Sequence, residues 1–215
     1  MELTPEILLR AYAIGIFPMA EGREHRELHW IDPERRGVLP LERFHLPRKL
    51  RRRIQRRDFE VRCDSAFAEV IRACAEPADN RPDTWINPAI QRLYTELHES
   101  GFAHSVECRQ DGALVGGLYG VALGAAFFGE SMFNRAPDAS KVALAHLVLR
   151  LRKGGFRLLD TQFVTPHLRR FGVVEIPRQD YRSLLARAIT SQARFPTDVT
   201  EAELVAFLRD TARVR

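Results

Sequence analysis

The chain has 215 residues, 45% of them hydrophobic and 28% charged, with a formal net charge of +5. That length supports one or two domains with a substantial core. No apolar run approaches the roughly eighteen residues of a membrane span, and the start carries Glu2 and no basic leader, so neither a span nor a secretory signal is expected. Three cysteines, Cys63, Cys74 and Cys108, without a CxxC pair, fit a reducing compartment and small buried side chains, and a soluble cytoplasmic protein is expected.

In chain order, residues 5–14 read as a short helix capped by Thr4 with Pro5 in its first turn, broken by Gly15-Ile16-Phe17-Pro18-Met19. Residues 20–40 read as loop. A helix over 48–57 follows, with Leu46, Leu50 and Ile54 on one face. Residues 59–63 alternate like a strand. Asp64 or Ser65 is expected to cap a helix over 67–74, and Asn87-Pro88 to start another through Leu97. Residues 103–109 and 113–123 read as strands around a Gln110-Asp111-Gly112 turn, an Asp-Gly hairpin signal, with a third strand over 124–130 and Glu130 delivered to the turn after it. Then come an amphipathic helix at 139–155 ended by glycine, a buried strand at 156–163, a short helix at 165–172 started by Thr165-Pro166, a strand at 174–178 and a helix at 181–189. Thr200 and Glu203 have capping-box spacing for a last helix over 201–210. This order suggests an α/β (α+β) fold, a mixed sheet covered by helices, of acetyltransferase-like type.

Five features carry candidate chemistry. The segment 48–57 holds seven basic residues and no acid, and such unmixed charge suits a phosphate backbone; a solvated charged helix is the plainer alternative. Glu130 follows the apolar Ala125-Ala126-Phe127-Phe128, where a carboxylate at a pocket mouth could hold an ammonium or guanidinium, or could simply pair with Lys141 or Arg135. Asp160 and Gln162, two apart on a strand, face the same side, where a carboxylate could orient an amide or tie down a loop. Trp30 and Trp85 lie in Pro-flanked loops and could stack on bases or anchor those loops. The glycines of Gly116-Gly117-Leu118-Tyr119-Gly120 allow close backbone approach or merely sheet twist. No metal site is expected, because His25 and His29 sit in a charged loop, and Ser131 lacks a Gly-x-Ser-x-Gly context for a nucleophile.

Together, Tyr12-x-x-Gly15-Ile16-Phe17-Pro18, Trp30-x-x-Pro33-x-x-Arg36-Gly37-Val38, GGLYGV at 116–121, GESMF at 129–133, ASK at 139–141, LDTQ at 159–162 and His167-Leu168 resemble the leucyl/phenylalanyl-tRNA–protein transferase family, in family order from about residue 3 to about 190. Departures are Thr161 where cysteine is frequent, Asn134 where serine is usual, and Arg169-Arg170-Phe171-Gly172 in place of a Ser-Leu-Gly-Ala run. The resemblance implies transfer of leucine or phenylalanine from aminoacyl-tRNA to the α-amino group of proteins beginning with Lys or Arg, marking them for degradation. It implies no cofactor and a monomeric, cytoplasmic bacterial enzyme. It further implies a small N-terminal domain over 1–45 joined to an acetyltransferase-like domain over 46–215.

By the same resemblance, Leu118, Phe127, Phe128, Met132 and Leu159 would line the aminoacyl pocket. Trp30 and Trp85 would stack on the terminal adenosine. Arg48, Lys49, Arg51, Arg52, Arg53 and Arg56 would hold tRNA phosphates. Glu130, Asp160 and Gln162 would carry the chemistry, with the Gln162 carbonyl oriented by Asp160. A CoA-dependent N-acetyltransferase and a non-catalytic RNA-binding module are the competing readings. Against the first, the turn at 169–174 has Val174 where the pyrophosphate-binding pattern needs a small residue. The second leaves Glu130, Asp160 and Gln162 unexplained.

Overall fold

The computed structural model describes residues 3–23, 25, 27–77 and 83–213. It contains helices α1 (Pro5–Ile14), α2 (Arg48–Arg56), α3 (Phe67–Cys74), α4 (Pro88–Glu99), α5 (Ala139–Lys153), α6 (Pro166–Arg169), α7 (Arg178–Ile189) and α8 (Glu201–Asp210). The strands are β1 (Phe17–Ala20), β2 (Leu28–Ile31), β3 (Arg35–Val38), β4 (Glu60–Cys63), β5 (Ala103–Gln110), β6 (Ala113–Leu123), β7 (Ala126–Asn134), β8 (Leu158–Gln162) and β9 (Val174–Pro177). No helix among the described residues is long and apolar enough to cross a membrane.

Local sequence explains most element ends. Thr4 accepts a hydrogen bond from the Ile7 amide, and Gly15 closes α1 in the left-handed region at φ 89°. Asn87 caps α4 through the Ile90 amide, Thr165 caps α6, and Thr200 with Glu203 forms a full capping box on α8. Asp111 and Gly112 both have positive φ, the geometry of a tight hairpin between β5 and β6. The expected cap of α3 is a correction. Neither Asp64 nor Ser65 caps it; Ala66 precedes the helix, and the buried Glu107 carboxylate on β5 accepts from the Ser65 and Ala66 amides instead. Asp64 caps nothing because it is turned away, accepting from the Ser105 amide and His104.

Seven strands form one sheet in the order β4-β5-β6-β7-β8-β3-β9, antiparallel except for the parallel pair β7 and β8 joined through α5. Residues 20–40, expected as loop, hold two strands, β2 and β3. β1 and β2 make a separate two-stranded ribbon, and β3 inserts between β8 and β9. The strand pattern there is too short and too polar to show period 2, so only pairing reveals it. β3 therefore belongs to the large sheet although it lies in the segment assigned to the small N-terminal unit. α1, α3, α4 and α7 cover one face of the sheet, and α2, α5 and α8 the other, each with its own apolar core. α5 is buried nearly all round, from Ala139 to Leu151, rather than amphipathic, because it is wedged between the sheet and α2.

Candidate active site

β7 and β8 run side by side only from Ala126↔Leu158 to Phe128↔Asp160; beyond that β7 continues to Asn134 with no described partner on that edge. A cavity of about 390 Å³ opens where the strands part. Gly129, Glu130 and Met132 come to it from β7, Thr161, Gln162 and Phe163 from the end of β8, and Leu144 and Leu147 from α5.

Each strand carries an irregularity at this point. On β7, Ser131 pairs with Tyr119 and Gly129 with Gly120, so Glu130 is the extra, unopposed residue of a bulge. On β8, Gln162 pairs with Gly37 and Asp160 with Val38, which leaves Thr161 unopposed. Glu130 thus lies within a strand, not in the turn expected after a shorter one; the bulge is what re-aims its carboxylate. Gln162 sits in the left-handed region at φ 59°, held there by its amide donating to Asp160 Oδ1 at 2.7 Å. Gly37 allows the approach: a Cβ there would come within 2.8 Å of the Phe163 carbonyl carbon.

Glu130 is buried in a net of donors. Its Oε1 accepts from Tyr12 Oη at 2.7 Å and from Gln162 Nε2 at 3.1 Å, and its Oε2 from Tyr94 Oη at 3.2 Å. The two tyrosine hydroxyls also hydrogen-bond each other. Burial raises the Glu130 carboxyl to about 7, against the opposing pull of the Tyr12 and Gln162 hydrogen bonds, and nearby Asp160 adds to the rise. Burial and the Glu130 charge likewise raise both tyrosines well above their ordinary range.

Asp160 stands behind the cavity. It is fully buried, with Arg36 Nε donating to both oxygens at 3.0 and 3.1 Å, Arg36 Nη2 to Oδ2 at 2.6 Å and Tyr181 Oη to Oδ2 at 2.7 Å. The Arg36 guanidinium lies 4.5 Å from the centres of both the Phe17 and Tyr181 rings and donates to the Gly15 carbonyl. Burial acts to lower the Arg36 pKa, and the Asp160 hydrogen bonds, together with the charges of Asp160, Tyr181 and Glu130, more than offset it. The expected link between the Asp160 side chain and the Gln162 side chain is therefore replaced by two links. Asp160 holds the Gln162 backbone, and Glu130 holds its amide group.

The aminoacyl-pocket set divides. Leu118, Met132 and Leu159 line the cavity. Phe127 and Phe128 do not: strand alternation sends them to opposite faces of the sheet, and each is buried in the core there. Phe127 packs between Phe156 and Phe195 in one core, and Phe128 against Tyr12 in the other. Trp85 is half-buried in the cavity wall, whereas Trp30 is exposed on β2 opposite Pro18 and does not line the cavity. Sequence reading overlooked the roles of Tyr12, Tyr94, Arg36 and Tyr181. The available signal was a tyrosine at a core-facing helical position, Tyr94, whose hydroxyl needs a buried partner.

Models of two known families match this chain: the leucyl/phenylalanyl-tRNA protein transferase over residues 38–186, and the N-terminal domain of the same transferase over residues 1–34. The chain belongs to the leucyl/phenylalanyl-tRNA protein transferase family. A protein of that name from Paramagnetospirillum magneticum is 60% identical over 206 residues, covering 96% of this chain and 99% of the relative. Two from strains of Cereibacter sphaeroides are 60% and 58% identical over 193 residues, covering 90% of this chain and 88% of each relative.

Within this family member, α2 is less uniformly available to phosphates than its composition suggests. Arg53 is tied to Asp58 and Asp138, Arg56 to Asp58, and Arg51 to the Leu46 carbonyl. Arg57 reaches Glu201. Arg48, Lys49 and Arg52 remain exposed. The acids that relieve the self-repulsion come from other elements, which the isolated segment could not reveal.

Proposed function

We propose that this protein is an aminoacyltransferase that moves leucine or phenylalanine from aminoacyl-tRNA to the α-amino group of proteins beginning with Lys or Arg, in the cytoplasm where that donor is made. The observation that carries this reading is the Gln162–Glu130 hydrogen bond at the wall of an apolar cavity opened by the parting of β7 and β8. Leu118, Met132, Leu144, Leu147 and Leu159 would receive the donor side chain, with Trp85 beside them.

 

Leu159 stands at the start of the β8 contribution to that wall. A cavity of aliphatic and thioether groups accepts both a leucyl and a phenylalanyl side chain, since Met132 adapts its shape and a methylene difference is worth only about 1–3 kcal/mol.

The donor ester is already activated, and an α-amino group with a pKa near 7.7–8.0 is partly neutral at pH 7. Alignment is then the main requirement, and it can be worth about 7–11 kcal/mol. The amine nitrogen attacks the ester carbonyl carbon. The new C–N bond forms, the C–O bond to the ribose breaks, and tRNA leaves with a free hydroxyl. Because Gln162 Nε2 is committed to Glu130, its carbonyl oxygen is left to accept an N–H from the incoming amine and aim the lone pair. A neutral amide is a poor base, so the amine proton passes to the departing ribose oxygen. Asp160 is a positioning residue here, acting through Arg36 and the Gln162 backbone. Glu130 carries acceptor recognition: a cationic first side chain beside it offsets the cost of its buried negative charge.

The test is transfer of radiolabelled leucine from leucyl-tRNA to a peptide beginning with Arg and to the same peptide beginning with Ala. Label on the Arg peptide alone is expected. Label on neither, with acetyl-CoA acetylating the peptides, would overturn the donor assignment.

A further inference from the structure

α6 forms part of the cavity rim. Thr165, His167 and Leu168 line the cavity, and the next two residues, Arg169 and Arg170, are exposed. Among the described residues, no acid pairs with either guanidinium. This sets them apart from Arg53 and Arg56 of α2, which are tied to Asp58, and from Arg178 and Arg182, which share Asp32.

The turn after α6 is fixed against the segment that leads into α2. The Phe171 carbonyl accepts the His45 amide at 3.0 Å, and the Phe171 and Phe44 rings stack at 5.9 Å. Gly172, at φ 94°, comes so close that a Cβ would lie 2.9 Å from the Arg43 carbonyl oxygen. Arg43 and His45 are exposed too, and the chain runs from them through Pro47 to the exposed Arg48, Lys49 and Arg52. A cationic track therefore starts at the cavity rim and continues to α2. His167 senses it from inside: burial first, then the Lys141 and Arg170 cations, hold its ring below the ordinary histidine range.

We propose that Arg169 and Arg170 form a phosphodiester subsite for the single-stranded 3′ end of the donor RNA where it leaves the cavity for α2. This rests on the transferase reading above. The reacting ester has to reach Gln162, so the nucleotides behind it must pass out over the rim. An acceptor beginning with Lys or Arg would be repelled by two uncompensated guanidinium groups, which assigns the track to the donor. Single-strand contacts of this kind carry charge and not sequence.

The experiment compares wild type with Arg169→Gln/Arg170→Gln, using leucyl-tRNA and 3′-leucyl-adenosine, a donor without phosphodiesters. Two lost single-strand contacts flatten the log–log salt dependence of the leucyl-tRNA KM by about 1.4, so KM varies roughly sevenfold less between 50 and 200 mM salt. With leucyl-adenosine, kcat/KM is expected to be unchanged. An Arg169→Lys/Arg170→Lys protein, keeping the charge, should retain most of the slope. An unchanged slope in the Gln protein, or equal losses with both donors, overturns the subsite. So does a loss that depends on acidic residues in the acceptor peptide. Fluorescence anisotropy of an unacylated, fluorescein-labelled ACCA oligoribonucleotide reads the subsite without catalysis. Weaker, less salt-dependent binding to the Gln protein supports it even if no donor is active and the transferase reading fails; equal affinity refutes it.

Discussion

Asp160→Asn tests whether this carboxylate acts as a structural pivot or as a group at the reacting centre. The substitution barely changes shape, but it removes the charge that faces Arg36 and turns an NH2 toward donors. Asp160 accepts from Arg36 Nε, Arg36 Nη2, Tyr181 Oη and the Gln162 amide, with both partners of the ion pair almost completely buried. Leaving one member of a buried pair uncompensated costs about 3–5 kcal/mol. In a chain of this size that corresponds to a fall in Tm of about 6–20 °C. Thermal and urea unfolding of the wild type, Asp160→Asn, Arg36→Met and the double variant Arg36→Met/Asp160→Leu measure it. The double variant should be less destabilised than the sum of the singles, because no charge is then left buried alone. A fall in Tm of under about 2 °C in Asp160→Asn, or strictly additive losses in the double variant, would refute the argument. The outcome also decides how lost transfer in an Asp160 variant should be read. If stability falls as expected, the loss comes through the misplaced Gln162 backbone and the loosened end of β8.

Glu130 should make stability depend on pH. Its carboxyl stays neutral in the folded protein up to about 7, against 4.5 when solvated, so the native state binds the extra proton between those values. Stability then falls as pH rises from about 4.5 to 7, by about 3 kcal/mol in total. Glu130→Gln should remove that slope, and parallel denaturation midpoints for both proteins from pH 5 to 8 would count against it. At Gly120 on β6, a Cβ would run into the Phe128 carbonyl oxygen and the Phe127 ring. Gly120→Ala should therefore cost about 1–3 kcal/mol by urea unfolding, and an unchanged midpoint would mean that the bulge beside Glu130 yields freely.

Much of the site's cast was legible as residue types before any geometry. Glu130, Gln162, Leu118, Met132, Leu159 and Trp85 do meet at one cavity. The structure places Phe127 and Phe128 in the two cores rather than at the cavity, because both precede the bulge at Glu130 where β7 parts from β8. The cavity-lining expectation was incomplete at α5, where Leu144 and Leu147, three apart, present one helical face to the cavity.

What the sequence by itself determined was local. Thr4, Asn87, Thr165 and Thr200 set helix starts, and Asp111-Gly112 set the hairpin, because caps and turns are satisfied by atoms a few residues away. The charge run of α2 and the run of motifs at 116–162 were likewise visible along the chain. Tertiary structure alone decided that β3 enters the large sheet, that Glu130 and Thr161 are the unopposed residues of two bulges, and that Tyr12, 118 positions away, donates to Glu130. The same holds for the burial of Arg36 against Asp160. Bulges exist only relative to a partner strand, and a buried charge is stable only beside its counter-charge. Both therefore depend on contacts between segments far apart in sequence, which no local pattern encodes.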